Sequence, residues 1–214
     1  MRVWIAGLAT TLVALLCTFG AGNFGILKMV AASGFIATAL LAGATQTVYG
    51  RWLLAGLIFS WSGDLLLLSG NHANFLSGLV SFLIGHVCYA VAFWQYDTRR
   101  DIAGWGLVVL MLPGAMLVSA AWPNLSEALQ LPVIAYTAVI SIMLALSFGT
   151  WKKPGFLLII AGAVAFYLSD VCVARGRFIA PGAINGQIGL PLYFIGQVLL
   201  AASAAYVDPD EMRE

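Results

Sequence analysis

Phe59-Ser-Trp-Ser-Gly-Asp64-Leu-Leu-Leu-Leu68 puts one carboxylate inside an otherwise unbroken apolar run. An ionisable group at membrane depth costs roughly 2.5–3.5 kcal/mol on insertion scales, so it faces the bundle interior, takes a partner and marks a functional site. A second such run, Phe166-Tyr-Leu-Ser-Asp170, lies far along the chain with the same order of aromatic residue and aspartate. Of the nine acidic residues, only these two fall inside apolar spans. Asp97 and Asp101 sit in a loop, Glu127 opens a helix, and the others crowd the C-terminal tail.

Outward from these positions, the 214 residues are 62% hydrophobic and 9% charged, with a mean hydropathy of +0.97, whereas a soluble domain carries about 25% charged residues. This composition predicts an all-α integral membrane protein. At about 20 apolar residues per span, the chain divides into a bundle of eight transmembrane helices near residues 3–20, 25–45, 51–69, 74–95, 102–121, 127–149, 154–174 and 187–207. Continuous runs exclude the alternating segments of a barrel, and a net charge of +1 without a basic cluster excludes nucleic acid as a partner. The whole chain, 1–214, reads as a single transmembrane domain whose partner is the lipid bilayer. Cys17, Cys88 and Cys172 lie in spans without Cys-x-x-Cys spacing and read as small core residues. The apolar run from Val3 to Phe19 lacks a small-x-small cleavage site and reads as the first span, not as a signal peptide.

Eight spans return both termini to one side. Arg2, Arg51, Arg99, Arg100, Lys152, Lys153 and Arg213 fall on that side and Lys28, Arg175 and Arg177 on the other. By the positive-inside rule both termini are cytoplasmic, as in a multi-pass protein of a bacterial inner membrane. Trp4, Trp52, Trp94, Trp105, Trp122 and Trp151 lie near span ends, where an interfacial aromatic belt places them. Trp61 is the exception. It precedes Asp64 by one helical turn on the same face, where it would keep that carboxyl dry and favour Asp64 as the protonated acid.

A weak internal repeat relates halves 1–100 and 101–207, two parallel four-helix units about an axis along the membrane normal. In each half the aspartate is followed by a short polar break, at 69–74 and 175–186, and then by a helix carrying hydrogen-bonding groups: His86 and Tyr89 in one, Tyr193 and Gln197 in the other. Their i,i+3 and i,i+4 spacings put each pair on one face. At about 1.5 Å per residue, both aspartates reach the outer half of the bilayer, on the side of Lys28, Arg175 and Arg177.

Two carboxyl groups in one low-dielectric cavity divide into a neutral acid and an ionised partner, the pairing that acid–base chemistry requires. The alternative is a pair of structural aspartates capping hydrogen bonds between helices. No metal set is evident, since zinc takes three or four close ligands and His72 is expected in an outer loop, away from His86. Ser60, Ser62, Ser81 and Ser169 lack a glycine-framed nucleophile elbow. No cofactor is implied.

The run Phe59-Ser-Trp-Ser-Gly-Asp64-Leu-Leu-Leu, followed by Phe75-Leu-Ser-Gly-Leu79 and Phe82-Leu-Ile-Gly-His86-Val-Cys-Tyr89, resembles the first half of the YhhN family of lysoplasmalogenases. Leu168-Ser-Asp170, Arg175-Gly-Arg-Phe178 and Leu192-Tyr-Phe-Ile-Gly-Gln197 are similar to its second half, and Lys28 and Tyr136-Thr-Ala-Val-Ile-Ser-Ile-Met143 to its more dispersed positions. Two departures bear on substrate preference: Met29-Val30 follows the lysine where the family commonly has proline, and Arg175-Gly-Arg177 replaces a more apolar segment. The resemblance implies an eight-helix membrane hydrolase that cleaves the vinyl ether of a lysoplasmalogen, an alkenyl-glycerophosphocholine or -ethanolamine, to a fatty aldehyde and a glycerophospho-base. Asp64 and Asp170 would be catalytic, because protonating a vinyl ether carbon to an oxocarbenium ion needs a neutral acid and a nearby negative charge. Lys28, Arg175 and Arg177 are then cations for the phosphate, and His86, Tyr89, Tyr136, Tyr193 and Gln197 orient water and the ether oxygen. Two other readings stay open: a small-molecule or proton-coupled transporter, and a lipid-binding membrane protein without turnover.

Overall fold

Polar punctuation between the apolar runs starts the helices. Asn23 Oδ1 accepts from the Ile26 amide at the head of α2 (Phe24–Leu41), and Thr47 Oγ1 accepts from the Gly50 amide at the head of α3 (Val48–Leu67), each satisfying a donor the helix leaves orphaned. The computed structural model describes residues 1–20, 22–69, 72–96 and 98–208; Asp97, Asp210, Glu211, Arg213 and Glu214 lie outside them. Within these residues the remaining helices are α1 (Arg2–Thr18), α4 (His72–Gln95), α5 (Arg100–Ala121), α6 (Glu127–Gly149), α7 (Phe156–Ala174) and α8 (Ala183–Ser203).

A helix is present at each of the eight expected positions, with two corrections. The polar break expected at 175–186 is largely helical: a π turn, Arg175–Ile179, prolongs α7, and α8 starts at Ala183. Asn185 holds this short reversal by donating to the carbonyls of Ala180 at 2.8 Å and Gly182 at 3.1 Å. His72, expected in a loop, is the first residue of α4. Pro113, Pro132 and Pro191 lie within α5, α6 and α8, which continue through them.

Among the described residues, six helices are long and apolar enough to cross a membrane. The other two are α1, shorter at 17 residues, and α3, whose hydropathy is lowered by Arg51, Ser60, Ser62 and Asp64. The chain is a multi-pass membrane protein. Its outer surface is apolar: α5 projects Val108, Val109, Met111, Leu112 and Met116 outward, and all six span-end tryptophans are exposed.

Helices α3 and α4 pack closely, as do α7 and α8. A Cβ on Gly85 would come 3.1 Å from the Gly56 carbonyl, and one on Gly196 would come 2.9 Å from that of Gly162. Small residues at such crossings let backbones approach where apolar burial alone provides no driving force. The centre is filled by Phe35, Leu53, Leu57, Met143, Ile159, Phe166 and Phe194. At the end of the bundle bearing the chain termini, Tyr49 bonds Ser203 at 2.6 Å and Tyr96 donates to the Pro154 carbonyl at 3.0 Å. The cavity described next lies at the other end.

Candidate active site

The C-terminal turns of α3, α5 and α7 meet the N-terminal turns of α2, α4, α6 and α8 at one end of the bundle. Between them is a cavity of about 390 Å³, with Lys28, Asp64, Tyr136, Asp170 and Tyr193 as the principal polar groups in a largely apolar wall. Both intramembrane aspartates therefore face one space, and no hydrogen bond joins their carboxyls among the described residues.

Asp64 is buried and fully engaged. Lys28 Nζ lies 3.0 Å from its Oδ1, and the Tyr193 hydroxyl donates to its Oδ2 at 2.6 Å. Lys28, expected as an outward cation for a phosphate, is itself buried and committed to this ion pair. The amphipathic stem that would let it reach an interface instead carries its charge inward. The Trp61 indole N–H is directed to Ser33 Oγ at 3.2 Å.

Asp170 has different neighbours, a phenol and an imidazole. The Tyr136 hydroxyl donates to its Oδ2 at 2.8 Å, and His86 Nε2 lies 3.4 Å from the same oxygen. His86 is buried, with the Phe166 ring centroid 4.5 Å and the Tyr136 centroid 5.2 Å from its own. Its Nδ1 is 2.7 Å from the Phe82 carbonyl oxygen. That oxygen can only accept, so Nδ1 carries a hydrogen.

The partners follow a pattern. Each aspartate is contacted by the preceding helix of its own half (Lys28 of α2, Tyr136 of α6) and by the last helix of the other half (Tyr193 of α8, His86 of α4). The steps from Lys28 to Tyr136, Asp64 to Asp170 and His86 to Tyr193 all agree within two residues with the 108 that separate Tyr89 from Gln197. Those last two bond each other, Tyr89 hydroxyl to Gln197 Oε1 at 2.8 Å, so matching positions of the two halves meet between them. The partners of the two aspartates thus recur at matched spacing along the chain, but their chemistry differs: Lys28 stands by Asp64 where Tyr136 stands by Asp170.

Of the remaining sequence-identified residues, His86, Tyr89 and Gln197 stand behind the cavity wall and act on it only through other side chains. Arg175 and Arg177 are exposed beside its rim. Arg175 donates to Asn185 Oδ1 at 2.7 Å, and Arg177 lies 4.7 Å over the Phe75 ring. Cys172, read as core, is half-buried and lines the cavity. Sequence reading missed Asn185, which also lines the cavity, and the Phe82 and Phe166 rings that seat His86 and Tyr193. An asparagine inside a glycine-rich break carries no signal of the three bonds it makes, and aromatic residues are ordinary in apolar spans.

A sequence model of the YhhN family matches residues 23–204. Lysoplasmalogenase TMEM86A of Homo sapiens is 30% identical over 159 residues, covering 71% of this chain and 64% of its own length. A lysoplasmalogenase of Mycobacterium tuberculosis is 28% identical over 180 residues, 78% of this chain and 66% of its own. Human lysoplasmalogenase TMEM86B is 28% identical over 156 residues, 73% and 64% respectively. The match thus spans slightly under two thirds of each of these relatives. No solved structure matches the chain.

Proposed function

Since the chain belongs to the YhhN family, we propose that it hydrolyses the vinyl ether bond of lysoplasmalogens to a fatty aldehyde and a glycerophospho-base. The observation that carries this reading is one cavity lined by two aspartates, of which Asp64 is paired with Lys28 while Asp170 is contacted by Tyr136 and His86. The names of the relatives, each a lysoplasmalogenase, support the reaction class. A site at one end of the bundle supports an enzyme entered from one leaflet over a carrier open in turn to both.

The asymmetry assigns roles, and reverses the preference that Trp61 gave. Asp64, neutralised by the Lys28 ammonium and oriented by the Tyr193 hydroxyl, is the carboxylate. Asp170, held by a phenol and an imidazole, is the neutral acid. It gives its proton to the β-carbon of the vinyl ether, the π electrons form the new C–H bond, and the positive charge of the resulting oxocarbenium ion spreads over carbon and ether oxygen. The Asp64 carboxylate stabilises that charge across the cavity. Water then adds to the carbon attached to the ether oxygen, and its released proton restores Asp170. Collapse of the hemiacetal breaks the carbon–oxygen bond as its hydroxyl proton passes to the departing glycerol oxygen, leaving the aldehyde and the glycerol hydroxyl. With the termini cytoplasmic, the cavity opens toward the outer leaflet, and Arg175, steadied by Asn185, is the cation nearest the headgroup phosphate.

The test is aldehyde release by the purified full-length chain in phospholipid vesicles containing a 1-alkenyl lysophospholipid. A saturated 1-alkyl analogue is the control and should give none. No aldehyde from the alkenyl lipid refutes the reading.

A further inference from the structure

The tautomer of His86 has a consequence for Asp170. With a hydrogen on Nδ1, bonded to the Phe82 carbonyl, a neutral imidazole presents only a lone pair at Nε2. That atom is buried with no hydrogen-bond partner among the described residues, and the polar atom it faces is Asp170 Oδ2, 3.4 Å away. A lone pair and a carboxylate oxygen repel at that separation; a proton between them makes the contact attractive. In the other half the corresponding place is held by the Tyr193 hydroxyl, which donates to Asp64. His86 thus stands where a donor belongs, with a nitrogen that donates only when it holds a proton.

Resting on the functional reading above, we propose that His86 and Asp170 form a single proton-holding pair, with His86 the positioning residue that keeps the catalytic proton on Asp170 Oδ2 until the substrate carbon takes it. The proton that leaves Asp170 for the substrate carbon is replaced by the one released from the attacking water, so the pair returns to its starting state with no other acid or base. The groups that could compete for this proton are few. Tyr136 already donates to Oδ2, and Asp64, Lys28 and Tyr193 are mutually satisfied across the cavity. The ring cannot swing toward solvent, since Phe166, Tyr136 and Tyr89 pack around it within 6.4 Å, centroid to centroid.

Nitrogen-15 NMR of the full chain labelled at histidine tests the pair without any turnover. The chain has two histidines, so a His72→Gln background leaves the His86 signals alone. The expected result is a protonated Nδ1 together with an Nε2 resonance displaced from the free-lone-pair position, returning to that position in Asp170→Asn oriented with its oxygen toward the ring, or moving to an amide-donor value if its nitrogen faces it. An Nε2 at the free-lone-pair position in the unsubstituted chain, or a bare Nδ1, overturns the proposal. Kinetics provide a second reading. His86→Gln offers an amide donor to Oδ2 but no transferable proton, so kcat should fall at least about tenfold, short of the roughly 10²–10⁴ that follows loss of the acid itself, while KM stays within about twofold because His86 does not line the cavity. Equal changes in kcat and KM would indicate a merely structural histidine. If the NMR result holds and no lysoplasmalogen is cleaved, the function fails and the pair survives; if cleavage is normal and Nε2 is free, the pair alone fails.

Discussion

Replacing Lys28 by Met separates two roles for the buried cation beside Asp64. Met keeps the length of the stem and removes the charge. The ion pair spans 3.0 Å, for which Coulomb's law at an effective dielectric of about 20 gives roughly 5–6 kcal/mol. Removing one member of a buried pair typically costs about 3–5 kcal/mol, because the remaining charge is left without a partner. Asp64 can limit that loss only by taking a proton, which removes the negative charge the oxocarbenium ion needs. Lys28→Met should therefore lose about 3–5 kcal/mol in denaturant unfolding of the detergent-solubilised protein and roughly 10²–10⁴-fold in kcat. The double variant Lys28→Met, Asp64→Asn should recover most of the stability, since swapping both members of a buried pair for neutral groups is often close to neutral, and none of the activity. The coupling between the two substitutions is the measured quantity. A Lys28→Met protein with unchanged unfolding and kcat, and a raised KM only, would refute the reasoning and make Lys28 a phosphate contact.

Asp64→Asn and Asp170→Asn should each fold and each lose roughly 10²–10⁴-fold in aldehyde release, and the double variant should lose little more than the worse single one because the groups share a step; near-normal turnover by either would remove the two-carboxylate mechanism. Tyr193→Phe takes a hydrogen bond from a charged group, worth about 1.5–3 kcal/mol, and should cut kcat roughly tenfold or more. Tyr89→Phe, behind the wall and bonded to Gln197, should instead lower stability by about 1–3 kcal/mol through an unsatisfied buried amide, with kcat nearly unchanged. Arg175→Ala should raise KM for a phosphate-bearing lysolipid severalfold and leave kcat in place, whereas Arg177→Ala, stacked on Phe75, should change neither. A cysteine at Gly182, where a Cβ meets nothing within 4 Å, should be labelled by an impermeant thiol reagent only from outside the cell; labelling only from the cytoplasm would invert the orientation and the route of substrate entry.

Much of this protein follows from quantities that are local along the chain. Transfer free energy per residue marks the eight helices and makes Asp64 and Asp170 anomalous wherever their spans sit. The family resemblance follows from the same short runs. Partners are not local. Lys28 reaches Asp64 across 36 residues, Tyr136 reaches Asp170 across 34, and Tyr193 reaches Asp64 across 129. Hydropathy cannot choose among these, because any interior helix face suits any other by transfer energy alone. Close crossings at Gly56 with Gly85 and Gly162 with Gly196 set which faces meet. Spacing put Tyr193 and Gln197 on one face, yet that face is wide enough to cover both the cavity wall and the layer behind it. So only the tertiary structure decided that Tyr193 touches the site and Gln197 supports it, that Lys28 turns inward, and that one aspartate holds a cation while the other faces a histidine.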